Sequence, residues 1–357
     1  MRTTFTLTST FFLMAAVCVA QTWQLQQSGT NAGLRGIHTV NGDVVWASGT
    51  EGTVLRSIDD GKQWQRCATP PDAGKLDFRG VWAWDAQTAL ALSSGPGDLS
   101  RLYRTTDGCA TWKLLFTNPD AGKKLAGFWD GLLFANRQDG FIYGDPVVGA
   151  TRNQSGAQEL TLPLQVSHDG GSTWRPGKTV QPLPGESAFA ASNSAMTTNQ
   201  GWIWLGTSKA RVLRRKPGGN WQAADTPLAS GNDSSGVFSV AFRDPQHGVA
   251  VGGDYARPKV TSGTAAFTSD GGAHWRAART PPHGYRSAVA WDALDRAWIT
   301  AGSNGTDISY DDGETWQWLD SGNWNALSLP FAVGPHGQIG KLGTVPAHSA
   351  ATAGVSR

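Results

Sequence analysis

Charge is scarce in this chain. With 30 Lys+Arg against 28 Asp+Glu in 357 residues, the net charge of +2 gives no electrostatic footprint for nucleic acid. No Lys/Arg block is present to hold an anionic membrane surface. Long apolar runs are also absent; the longest, Phe11 to Val19, is too short to span a bilayer with ease. Cysteine is nearly absent, with 3 residues and no zinc-site spacing, so no metal is expected. No Gly-x-Ser-x-Gly elbow, His-Glu-x-x-His, phosphate loop or dinucleotide fingerprint occurs, so no cofactor is expected.

Glycine and tryptophan are plentiful instead: 45 Gly and 17 Trp suit many short strands joined by turns, with no long helices in the mature chain. Seven times a Trp closes a short glycine-rich segment, at Trp23, Trp64, Trp112, Trp174, Trp221, Trp275 and Trp316. A repeat of about forty to sixty residues tiles the chain, which signals a propeller or solenoid. An octamer, Ser/Thr-x-Asp-x-Gly-x-x-Trp, is complete at 57–64 (SIDDGKQW), 167–174, 268–275 and 309–316. At 105–112 Cys109 takes the Gly position, and at 214–221 only Gly218 and Trp221 remain.

The octamer reads as a hairpin turn. An Asp side chain accepts bonds from backbone N–H groups further along, and the Gly supplies positive φ. Asp59, Asp107, Asp169, Asp270 and Asp311 are therefore structural, because a group repeated once per unit belongs to the unit. The Trp residues pack under the turns.

Each unit reads as four antiparallel strands with the octamer before the last, as in 34–40, 44–48, 53–57 and 64–68, which is a propeller blade. At the N-terminus, 23–29 resembles a fourth strand with no first three. At the C-terminus, 325–333 and 338–342 resemble inner strands with no fourth. The prediction is an all-β, seven-bladed β-propeller, closed by pairing the N-terminal strand with the C-terminal blade. Blade 3 carries an insertion at 145–161, and blade 5 a shorter one at 254–264.

Residues 1–20 read as a secretory signal, with Arg2, the apolar run and small residues up to Ala20. The propeller then spans 21–345 and a loose tail 346–357, and the exported product is expected to be periplasmic or secreted, with no membrane span and monomeric. Cleavage removes Cys18 and leaves Cys67 and Cys109 in an oxidising compartment; a disulfide between neighbouring units and two separate thiols both stay open.

Inner strands of a propeller begin near one mouth of the central channel. One position per blade there reads Arg35, Arg79, Asp130, Glu186, Phe238, Arg286 and Asn325. Three Arg in one arc are costly if buried unpaired; an anionic ligand or a partner-chain carboxylate at this mouth, and a structural ring with Arg79 paired to Asp130 and Arg35 or Arg286 bonded to backbone carbonyls, both stay open. His38 is read as a core histidine, and His247 and His336 as turn residues.

The octamers resemble the Asp-box, or BNR repeat, of sialidases, xyloglucanases, sortilin-type receptors and photosystem II assembly factors. Segments such as 44–64 and 249–275 are similar to the photosystem II stability/assembly-factor family over nearly the whole mature chain. That resemblance implies a non-enzymatic, exported propeller that binds a protein partner, with Arg35, Arg79 and Arg286 as counterpart of an Arg patch. The alternative it implies is a glycoside hydrolase with Asp130 and Glu186 as its carboxylate pair. Against that, the Arg79 segment lacks the Ile-Pro of the sialidase motif, sialidases have six blades, and Asp-box xyloglucanases have two propellers.

Overall fold

Short runs of β-branched and aromatic residues, cut by glycine turns, form seven four-stranded antiparallel sheets. The computed structural model describes residues 23–123, 127–152 and 158–343; the expected signal segment and the tail lie outside them. Blade 1 consists of Leu34–Thr39, Val45–Gly49, Val54–Ser57 and Gln65–Arg66, hydrogen-bonded in chain order. The first strands of blades 2 to 7 are Asp77–Ala83, Trp129–Phe134, Met196–Asn199, Ser235–Phe242, Ala288–Asp292 and Ala326–Ser328. These first strands pack side by side around a central channel.

Blade 7 takes its outer strand, Trp23–Gln26, from the other end of the chain: Trp23 lies opposite Leu342 and Gln26 opposite Ile339. The pairing satisfies a sheet edge that would otherwise be open. The blade 3 insertion forms a separate hairpin, Val147–Arg152 against Gln158–Thr161.

The octamers fold as their composition demands. In blade 1 the Ser57 hydroxyl donates to Asp59 at 2.8 Å, and the Gly61 N–H donates to Ser57 Oγ at 2.9 Å. The Gln63 N–H donates to Asp59 Oδ1 at 3.0 Å. Gly61 stands at φ 82°, where a side chain is disfavoured. In blade 2 Cys109 occupies that position at φ 68°, and its sulfur forms a disulfide with Cys67.

Neighbouring blades are tied by basic side chains that stack on an aromatic ring, of their own blade or, for Arg243, of the next, and bond to the next blade. Arg56 lies 5.7 Å from the Trp46 ring centroid and donates to Ala86 O in blade 2. Arg104 covers Trp84 and donates to Ser172 Oγ in the blade 3 octamer. Arg214 covers Trp202 and donates to Gly271 O in blade 5, and Arg243 covers Trp291 and pairs with Asp312 in blade 6. Lys341 over Phe331 pairs with Asp60, which carries the pattern across the closure from blade 7 to blade 1.

Candidate functional site

One structural device positions four of the seven inner-strand residues. The ladder between first and second strands slips between Leu34 and Gly36, Phe78 and Gly80, Trp129 and Gly131, and Val237 and Ser239. The residue inside each slip is Arg35, Arg79, Asp130 or Phe238. A β-bulge leaves its extra residue unpaired and re-aims its side chain, and here all four line one mouth of the channel. The glycine after the bulge makes room for the next blade: a Cβ on Gly36 would stand 2.9 Å from Arg79 O and 2.6 Å from Ser48 Oγ. Asn325, just ahead of its strand, completes the rim and donates to Leu34 O at 2.8 Å.

The mouth is a cavity of about 530 Å³. Arg79 is partnered: its Nε donates to Asp77 at 2.8 Å, one Nη to Ala190 O at 3.2 Å, and the guanidinium lies 5.9 Å from the Phe128 ring. Arg35 is not: it makes no hydrogen bond or ion pair with any described residue. Burial and the neighbouring Arg79 charge both lower the proton affinity of the Arg35 guanidinium, and the smaller effects of Asp77 and Tyr285 oppose them.

On the adjacent blade 3, Asp130 is 2% exposed and its Oδ2 is a buried atom with no hydrogen-bond partner. Asp145, which sequence reasoning did not single out, lines the same cavity. Burial pushes the Asp130 carboxyl well above the usual carboxylate range, with the Asp145 charge adding to the rise and Arg79 opposing it. Asp145 is pushed up to about 6 by burial, against a bond from the Ala188 backbone. The remaining wall is aromatic. Phe189 and Phe238 stack at 3.7 Å, and Tyr285 meets Phe238 edge-on at 4.9 Å.

Glu186 and Arg286 were expected at this mouth, and the structure places both elsewhere. Glu186, 1% exposed, accepts from Arg211 Nε at 2.9 Å, from the Thr207 hydroxyl at 2.6 Å and from the Leu183 N–H at 2.7 Å. Burial alone would raise its carboxyl, but the Arg211 and Thr207 bonds win and hold it below the usual value. Arg286 donates from Nε to Asp307 at 2.7 Å and from one Nη to Asn304 Oδ1, also at 2.7 Å. Neither residue sits in a bulge, because both precede the strands of their blades; nothing re-aims them into the channel. The Asp130–Glu186 pair is therefore not a pair facing one cleft.

The opposite mouth is a separate recess of about 450 Å³. His38 lies there with its ring 4.0 Å from Trp82, and burial pulls its pKa down to about 4 against a bond to the Ala83 backbone, so it is neutral at pH 7.

No family model and no curated protein sequence matches the chain. Solved structures do. The chain is similar to YCF48 propellers. One, described as YCF48 bound to D1 peptide, superposes with a TM-score of 0.61 at 15% identity, covering 91% of this chain and 98% of that one. YCF48 from Cyanidioschyzon merolae gives 0.60 at 18% identity, over 90% and 98%. An ancestral GH74 enzyme gives 0.52 at 14% identity, over 87% of this chain but 41% of that one. At these identities the likeness establishes the propeller fold, which hosts unrelated functions. Among the described residues, no helix is long and apolar enough to cross a membrane.

Proposed function

We propose that this chain is an exported, non-enzymatic Asp-box propeller that binds a protein partner at the Arg35 mouth, in an assembly or stability role like that of the photosystem II assembly factors. Removal of residues 1–20 would release a propeller domain of 21–345 with a short tail at 346–357. The observation that carries this reading is the unpaired Arg35 guanidinium inside a cavity also lined by Arg79, aromatic rings and buried carboxyls. A cation in that setting gains from an anionic group of a partner, which supplies charge-assisted hydrogen bonds the chain itself does not. The peptide-bound YCF48 propeller supports a protein partner over a small metabolite. The hairpin strands Val147–Arg152 and Gln158–Thr161 add a contact surface that follows Asp145 of the cavity.

A glycan-active reading that relies on Asp130 and Glu186 has little support, because Glu186 is engaged by Arg211 outside the cavity. The test is a pull-down from membranes of the source cell with wild type and an Arg35→Ala/Arg79→Ala double variant. Partner recovery is expected to fall in the variant while its thermal melt stays cooperative; equal recovery from both would overturn the Arg35 assignment.

A further inference from the structure

The segment that leads into blade 4 divides the channel. Residues 187–191 line the Arg35 mouth, whereas Ser192, Asn193 and Ser194 line the opposite recess. This crossing is pinned to three other blades. The Asn193 amide donates to Leu132 O at 2.8 Å and accepts from the Leu132 N–H at 2.7 Å, in blade 3. Ser194 O accepts from the Val240 N–H of blade 5 at 3.0 Å, and the Ser192 hydroxyl donates to Ser287 O of blade 6 at 2.6 Å. The recess thus has a fixed floor and a volume of about 450 Å³, within the range of small-molecule sites. We propose that it binds an uncharged sugar of one or two rings through the hydroxyls of Thr197 and Thr198 and the indoles of Trp82 and Trp291. This site is independent of the Arg35 mouth and of the partner proposed there.

Charge selects a neutral ligand. Among the described residues no carboxylate lines the recess, and its one arginine, Arg243, is already engaged. Arg243 donates from Nε and one Nη to Asp312 at 2.7 and 2.8 Å, and from the other Nη to Asp244 at 2.7 Å. His38 is neutral at pH 7. An ion entering here would shed water and meet no free counter-charge. Without a carboxylate pair at hand the recess also has no acid and base for glycoside hydrolysis, so the sugar is held and not cut.

The groups that the walls leave open are neutral and polar. The hydroxyls of Thr197 and Thr198 and the indole N–H groups of Trp82 and Trp291 make no hydrogen bond with any described residue, and none of the four is cut off from solvent. A hydroxyl donates and accepts while an indole N–H only donates, a set that a ring carrying several hydroxyls can match. Apolar surface stands between them: the His38 ring lies 4.0 Å from that of Trp82, and Met196 and Leu327 complete the wall. The C–H faces of a sugar suit that surface, and each indole offers an apolar body with one polar edge. A wholly apolar ligand would leave the four polar groups without partners, which costs affinity. A ligand of one or two rings that fills the volume meets opposite walls at once.

The test is calorimetric titration of the purified protein with the methyl glycosides of glucose, galactose and N-acetylglucosamine, and with cellobiose and chitobiose. Glucuronate, galacturonate and glucosamine serve as charged counterparts, and cyclohexylmethanol as an apolar ring. At least one neutral sugar is expected to fill a single site with a Kd of about 1 mM or tighter, as its number of non-hydrogen atoms allows. Its charged counterpart should bind about tenfold more weakly or worse. Thr198→Val keeps the side-chain shape and Trp82→Phe keeps a ring, and each removes one polar hydrogen. Either change should weaken binding about threefold to tenfold while the thermal melt stays cooperative. Arg35→Ala should leave sugar binding unchanged, and Thr198→Val should leave partner recovery in the pull-down unchanged, so the two sites fail separately. A disaccharide that binds more tightly than its own monosaccharide supports a glycan chain as the source, and equal binding supports a free or terminal sugar. No saturable binding by any neutral sugar, equal binding of cyclohexylmethanol or of the charged counterpart, or a loss with Arg35→Ala as large as that with Thr198→Val overturns the proposal.

Discussion

Arg286 and Asp307 form an ion pair inside blade 6 in which both side chains are 0% exposed. Asp307 also engages the His283 ring at 2.6 Å, so its carboxylate is satisfied from two sides. Arg35 of blade 1 has no such partner, and this contrast separates structural from binding arginines. Removing one member of a buried pair leaves the other charge uncompensated, so Arg286→Ala should lose about 3–5 kcal/mol in urea unfolding. Arg35→Ala should leave stability unchanged or slightly raised. A loss with Arg35→Ala equal to that with Arg286→Ala would contradict the assignment.

Asp130 gives a prediction of opposite sign. Its folded pKa is raised, so between the unfolded value near 4 and the folded value the native state holds more protons than the unfolded one, and stability falls as pH rises through that window. The penalty is complete above it. Asp130→Asn, which carries no charge, should raise the melting temperature by about 2–4 °C at pH 8 and change it little at pH 4. A stability gain that is the same at both pH values would show that charge is not the cause.

The octamer carboxylates behave the other way. Bonds from the Thr111 hydroxyl and N–H pull Asp107 down to about 2, and the corresponding Thr173 bonds do the same for Asp169. Their contribution is present in full above the unfolded value near 4 and is lost as pH falls through the folded value near 2. Wild type should therefore lose stability across that acid window. The Asp107→Asn/Asp169→Asn variant should be less stable than wild type at neutral pH and show a shallower loss in acid, measured by thermal melts from about pH 5 to 2.

Cys67 and Cys109 join the outer strand of blade 1 to the octamer turn of blade 2 across 42 residues of sequence. Closing a loop of that size is worth about 4 kcal/mol in the chain-entropy model. Reduction should lower the unfolding free energy by up to that amount, and a Cys67→Ser/Cys109→Ser variant should show the same loss with no further effect of reductant.

The blade count and the closure were legible because they repeat. Four complete octamers in register set the period, and an outer strand without a blade at one end matched a blade without an outer strand at the other. The mouth was legible only in part. Aligning one residue per blade finds Arg35, Arg79, Asp130, Phe238 and Asn325, which share a backbone position. It also selects Glu186 and Arg286, whose partners Arg211 and Asp307 lie 25 and 21 residues downstream and leave no mark in that alignment. A partial signal was present: Arg35, Arg79 and Asp130 are each followed by Gly, whereas Glu186 and Arg286 are each followed by Ser, as is Phe238 in its bulge. Asp145, Phe189 and Tyr285 were missed because they enter the cavity from connecting segments, where the repeat imposes no pattern.

The seam in blade 7 has one more consequence. Trp23 starts the outermost strand of that blade, with its indole bonded to Thr306 of blade 6 at 2.9 Å, so the chain enters the fold at the perimeter of the disc. A leash or fusion attached ahead of Trp23 would leave from the rim and keep both openings of the channel clear. The protein could then be immobilised at a surface, in an assay or in a cell, while the Arg35 face stays available to whatever approaches it.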